Sequence, residues 1–192
     1  MARGNGQLAN IEVPRQEGPA DELSKIFGPL KPLLALRNRD LGLAGSDPQN
    51  VPIVRGRVVN HLRSIGVPRD IIDDAGLCTS ELVANGVEHT VGGWAYVEVS
   101  AALGELVVAV GSGSSKNGKP PHINRGVSPN ATSGRGLDIV ESLSSRMGFI
   151  EPSTADGREA TVAWFALLRD SGLIQVSAVP PPSPAQAIDT LG

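Results

Sequence analysis

Residues 81–90, ELVANGVEHT, set a carboxylate, Glu81, and an amide, Asn85, four positions apart. On a helix that spacing projects both side chains from one stripe. Cys78 and Leu82 flank the stripe, which puts it at the edge of a core rather than out in solvent. A carboxylate in such a place can act as general base toward a hydroxyl or a water. An amide oxygen can ligate a hard cation such as Mg2+, which takes oxygen donors and usually brings phosphates with it. Taken alone, the pair is also what a solvated helix face displays by chance. Gly86, directly behind Asn85, costs a helix up to about 1 kcal/mol relative to alanine.

A second stretch with chemical potential is SGRGL: Ser133, Gly134, Arg135, Gly136 and Leu137. The two glycines let the backbone approach an anion closely, and a helix start offers free amides and a favourable dipole to phosphate. Arg135 can add a charge-assisted contact. The stretch is neither a P-loop nor a dinucleotide fingerprint, because no lysine follows and the element before it is not a strand. A bare Gly-x-Gly also reads as a hinge before a helix.

The elements that must position these residues follow from periodicity. Ser46 or Asp47 caps a helix in which Val54, Val58, Val59 and Leu62 recur at helical spacing before GVP ends it. After Pro68 a second helix carries Ile71, Ala75, Cys78 and Leu82 as a core stripe and runs to about Thr90. WAYVEVS alternates and ELVVAV is a near-continuous apolar run, and the short ALGE between them predicts an antiparallel hairpin. Residues 111–134, rich in Gly, Ser, Asn and Pro, form a long loop of the kind that is either functional or disordered. A third helix follows, with Leu137, Val140, Leu143 and Met147 toward the core, and then the strand signals FIEP and ATVAWFALL. That order predicts an α+β fold, a two-layer α/β sandwich with a mixed, mostly antiparallel sheet and helices on one face.

The ends have a different character. LSKIFGPLKPLLAL is apolar but broken by Pro29 and Pro32, and reads as a short helix or an extended arm packed on the domain or on a partner. The expected organisation is a partly disordered N-terminal arm over 1–37, a domain over 38–169 and a Pro-rich flexible tail over 170–192.

Composition narrows the function classes. The 192 residues are 40% hydrophobic but only 3% aromatic, so aliphatic packing dominates the core. A net charge of −3 gives no basic footprint, which speaks against nucleic acid as a direct partner. No apolar run approaches the roughly 18 residues of a membrane span, and the first residues lack the apolar stretch of a signal peptide. One cysteine excludes an internal disulfide. These features predict a soluble, cytoplasmic protein.

ELVANGVEHT, then VVAVGSGSSKNGKPP, then a long loop, then SGRGLDIVESLSSRMGF and GREATVAWFAL, together resemble the Bergerat (GHKL) ATP-binding domain of gyrase, the heat-shock chaperone and histidine kinases. The strongest resemblance, over roughly residues 38–169, is to the small anti-sigma-factor serine kinases of bacteria. It implies ATP and Mg2+ as cofactors, Glu81 as the general base, and Asn85 as the Mg2+ ligand. It also implies a phosphate-binding box at Gly134 and Gly136 with the amides around Leu137, an ATP lid over 114–132, and Thr161 lining the adenine pocket. His89 and Thr90 match the family's helix ending, where packing or capping is the simpler role.

One position departs from the pattern. Where the family carries an aspartate that accepts a bond from the adenine amino group, this chain has Ser112, and no acidic residue occurs from Leu106 to Arg125. Losing a charge-assisted bond there costs on the order of 1.5–3 kcal/mol. Two functions follow from the resemblance. One is a protein serine/threonine kinase that phosphorylates an anti-sigma antagonist, binds a sigma factor and forms a homodimer. The other is a non-catalytic partner-switching protein whose nucleotide site has degenerated.

Overall fold

Gly104 adopts a φ of 86°, a left-handed conformation open to glycine, and turns β2 (Trp94–Ala102) back onto β3 (Glu105–Gly113). The two strands pair antiparallel, with Val97 opposite Val110 and Val99 opposite Val108. In the computed structural model, which describes residues 19–37, 47–91, 94–102, 104–117, 135–151 and 160–168, this hairpin is the middle of a five-stranded sheet. β5 (Ala160–Leu168) lies against β3, β4 (Arg146–Ile150) against β5, and β1 (Lys31–Arg37) against β2. The order is β1-β2-β3-β5-β4, and every pairing is antiparallel.

Strand alternation sorts the side chains into two layers. Leu106, Val108 and Val110 of β3 join the main core with α2 (Asn50–Ser64), α3 (Arg69–His89) and α4 (Gly136–Leu143). This is the two-layer α+β sandwich that the order of elements predicts. The intervening Val107 and Ala109 face a smaller cluster on the other side of the sheet, where α1 (Pro19–Phe27) sets Leu23 and Phe27 against them and Trp164. The LSKIFGPLKPLLAL segment is therefore both a helix and a strand: α1 covers the second face, and β1 lines the sheet's edge.

The two long helices pack antiparallel through close contact. Val54, Val58 and Leu62 of α2 and Ala75, Cys78 and Leu82 of α3 are buried, as their spacing predicts. At Gly76 a Cβ would stand 2.8 Å from Val59 Cγ2, so the glycine lets the helices approach. α2 ends in a left-handed cap at Gly66 (φ 79°), with the Gly66 amide donating to Arg63 O at 3.2 Å and the Val67 amide to Leu62 O at 3.1 Å. At its start the Asp47 carboxylate accepts the Gln49 amide at 2.9 Å; Ser46 lies outside the described residues.

α4 is shorter than its periodicity predicts. It stops at Leu143, and Met147 lies on β4 while still packing on the main core. Two serines explain the difference. Ser144 donates both its amide (3.0 Å) and its hydroxyl (2.6 Å) to Val140 O, closing the helix. Ser145 donates its amide and hydroxyl to Ala166 O, both at 2.9 Å, which commits the chain to β5. Serine side chains compete with helical backbone bonds in this way.

Candidate functional site

α3 carries Glu81 and Asn85 in its C-terminal half, both half-buried, with Cys78 and Leu82 beneath them in the core. α4 begins directly over the pair. A Cβ built on Gly136 would lie 2.6 Å from Glu81 Oε2, 3.5 Å from Glu81 Cβ and 3.6 Å from Asn85 Nδ2. A side chain at 136 would therefore displace the Glu81 carboxylate, while the other contacts are at ordinary distances. Asn85 Nδ2 is buried and has no hydrogen-bond partner among the described residues. A buried amide donor without an acceptor is costly, and its cost is recovered when an acceptor arrives.

Of the other residues singled out in the sequence, Arg135 occupies the position before α4 and is exposed, and Leu137 packs against the main core. Ser133 and Gly134, with residues 118–132, lie outside the described residues. Ser112 and Thr161 are register partners across β3 and β5, both buried, and the Ser112 hydroxyl donates to Thr161 O at 3.3 Å. Both share the strand face of the main core, since Ser112 continues the 106, 108, 110 alternation.

The end of α3 is tied to the exit of β3. Thr90 and Ser115 form an antiparallel bridge, the Val91 amide donates to Ser114 O at 2.9 Å, and the Lys116 amide donates to His89 O at 2.9 Å. Lys116 also turns its ammonium onto Glu88 O, a cation at the negative end of the helix. Thr90 donates its hydroxyl to the carbonyl of Gly86, a side-chain cap of the last turn. These ties hold the Glu81–Asn85 half of α3 beside the Ser112–Thr161 end of the sheet. Sequence reading did not anticipate them, because they join backbone atoms about 25 positions apart and carry no residue signature beyond Thr90.

The chemistry open to this arrangement is specific. Glu81 can take a proton, the Asn85 amide can donate to an anion's oxygen or ligate a cation through its own oxygen, and the start of α4 offers backbone amides to phosphate. Among the described residues no three His, Cys, Asp or Glu side chains gather as a metal cage. A Mg2+ ion that arrives with phosphates and keeps its waters needs only one or two protein oxygens, so Asn85 fits such an ion. Below the pair, burial first, then the Asp74 and Glu81 carboxylates, push the Cys78 thiol up to about 12. Cys78 is therefore a protonated core group and not a nucleophile.

An open antiparallel sheet, three helices packed on its main-core face, and a carboxylate–amide pair under the glycine start of one of them define an α+β sandwich domain with a corner suited to an anion. The family model described as histidine kinase-like ATPase domain matches residues 44–164, and the chain belongs to that family. The fold is similar to the structure of the SiaB–SiaC complex from Pseudomonas aeruginosa, with a TM-score of 0.50, 14% identity, and coverage of 76% of this chain and 95% of that one. The structure of the RsbU and RsbW domains of Rv1364c from Mycobacterium tuberculosis aligns at a TM-score of 0.49 and 20% identity over 76% of this chain. This chain spans 35% of that one. A comparison with curated proteins finds no match. Among the described residues no helix is long and apolar enough to cross a membrane.

Proposed function

We propose that this protein is an ATP- and Mg2+-dependent regulator of the anti-sigma serine kinase type. It transfers the γ-phosphoryl group of ATP to a serine of an anti-sigma antagonist. Glu81 accepts the proton of the serine hydroxyl as its oxygen attacks the γ-phosphorus, and ADP leaves. Asn85 holds the phosphate-bound Mg2+, while Gly134, Arg135, Gly136 and Leu137 receive the phosphates. The observation that carries this reading is the meeting of Glu81, Asn85 and Gly136 at one point, with the Asn85 amide lacking an acceptor. Family membership supports ATP as the nucleotide. The resemblance in sequence supports the antagonist, a sigma factor bound on the helical surface, a homodimer and a cytoplasmic setting.

The buried, neutral Ser112 favours a second reading, in which the fold serves partner switching without catalysis. Calorimetric titration with ATP and Mg2+ separates the two. Heat of binding below millimolar nucleotide supports the kinase type, and no binding at millimolar nucleotide leaves only the partner-switching reading.

A further inference from the structure

β4 ends the sheet on one side, and among the described strands nothing pairs with its outer edge. Its sequence, RMGFI, carries one charge, Arg146, and no proline. An edge of this kind leaves the N–H and C=O of every second residue open to a further strand, and proteins usually guard it. The opposite edge is guarded: β1 has Lys31 and Arg37 at its ends, Pro32, and a register shift between Pro32 and Leu34. One strand in from β4, Trp164 is 7% exposed, and its indole Nε1 is buried without an acceptor among the described residues. A Cβ built on Gly148, the register partner of Trp164 on β4, would stand 3.2 Å from that nitrogen. The donor therefore lies against β4, at the one position of that strand with no side chain to keep a neighbour away.

The chain itself carries a candidate strand. After Leu168, the end of β5, residues 169–172 are the turn formers RDSG, and residues 173–179, LIQVSAV, alternate before Pro180. Ile174, Val176 and Ala178 fall on one face of such a strand, Gln175 and Ser177 on the other. Both edges of β5 are taken, by β3 and β4. A four-residue connector reaches about 14 Å at most. That covers the two strand spacings, about 10 Å, to the far side of β4, but not the roughly 19 Å to the far side of β1. Because β4 is antiparallel to β5, a segment turning back from β5 runs parallel to β4. We propose that residues 173–179 add to β4 as a sixth strand, parallel to it. Ile174, Val176 and Ala178 then lie on the main-core side with Met147, and the Gln175–Ser177 face supplies the acceptor for the Trp164 indole N–H. The flexible tail expected from residue 170 starts at Pro180 instead.

The test is hydrogen exchange of the full-length protein, followed residue by residue by NMR. In the native chain the amides of residues 173–179 are expected to exchange at least about a hundredfold more slowly than in an unfolded chain. A variant joining Ile174→Asp and Val176→Asp puts two carboxylates on the face that must be buried and leaves every residue of the described sheet and helices unaltered. In it, residues 173–179, the outward amides of β4 and the Trp164 indole N–H are all expected to exchange at least about tenfold faster than in the native chain. Exchange of residues 173–179 at unfolded rates in the native chain, which needs no variant, would overturn the proposal. Protection of that segment with β4 and the Trp164 indole unmoved by the double substitution would place the strand elsewhere and overturn it too. Protection that disappears on dilution would assign the strand to a second copy of the chain, against the intrachain pairing proposed.

Discussion

Gly136 rests directly on Glu81, with a carboxylate oxygen only 2.6 Å from where a Cβ of residue 136 would stand. The obstacle is the far end of a flexible side chain, while Glu81 Cβ and Asn85 Nδ2 stand at ordinary contact distances of 3.5 and 3.6 Å. Folding and function therefore respond differently to a methyl group here. Gly136→Ala is expected to leave the melting temperature unchanged or raise it, since alanine favours the helix by up to about 1 kcal/mol. The same change displaces the carboxylate, so phosphotransfer or ATP hydrolysis falls at least about tenfold, as expected for a misplaced catalytic group. A thermal melt and a phosphate-release assay on one preparation check both halves.

Glu81 and Asn85 should separate chemistry from binding. Glu81→Gln keeps the shape and removes the proposed base, so turnover is expected to drop by about a hundredfold or more with ATP affinity within a few-fold of the original. Asn85→Ala removes the buried amide and with it the proposed Mg2+ and phosphate contact. Affinity for Mg2+-ATP then falls about ten- to a hundredfold, while thermal stability holds, because the amide donor lacks a partner in the free protein. Titration and turnover measured on both variants would show whether the roles are divided this way.

The tie between α3 and the β3 exit can be loosened at Thr90. Thr90→Val keeps the volume and deletes the hydroxyl that caps Gly86 O. The expected loss is about 1 kcal/mol of stability. Amide exchange should quicken at Val91 and Lys116, whose protons close the bridge to Ser114 and His89. Unchanged exchange at those two amides would mean the bridge is held by backbone pairing alone.

The Cys78 thiol makes stability fall at high pH. Its value rises from an ordinary 9.0 to about 12 in the folded protein, chiefly through burial. Between those values the folded state holds a proton that the unfolded state has released. The thiol's contribution is thus complete below pH 9 and is lost as pH rises toward 12, with a slope of up to about 1.4 kcal/mol per pH unit. Urea denaturation at a series of pH values should show this slope in the native chain and its reduction in Cys78→Ala.

α1 should be integral to the domain's stability. Phe27 meets Trp164 edge-on at 4.9 Å between ring centroids, and the Arg146 guanidinium lies 4.6 Å above the Phe27 ring while pairing with the buried Glu105. Phe27→Ala opens a cavity against Trp164 and removes the platform under Arg146. Its expected cost is about 3–5 kcal/mol, read by chemical denaturation followed through tryptophan fluorescence.

Periodicity alone determined the helix–helix–hairpin–helix–hairpin order and the buried stripes of α2 and α3, because spacings of 3.6 and 2 residues are local properties of the chain. The i, i+4 placement of Glu81 and Asn85 was legible for the same reason. Where α4 stops was not, since Ser144 turns back onto Val140 O while Ser145 leaves the helix for Ala166 O, which only the packed sheet brings within reach. The role of LSKIFGPLKPLLAL also needed the assembled sheet: its apolar residues require a surface, and only β2 and the second face of β3 and β5 supply one. Gly136 carries the same lesson at the site. In the sequence it is a glycine before a helix, with a hinge as good a reading as any. Its contact with Glu81 exists only once α3 and α4 are packed on one face of the sheet, and that packing depends on side chains more than fifty positions apart.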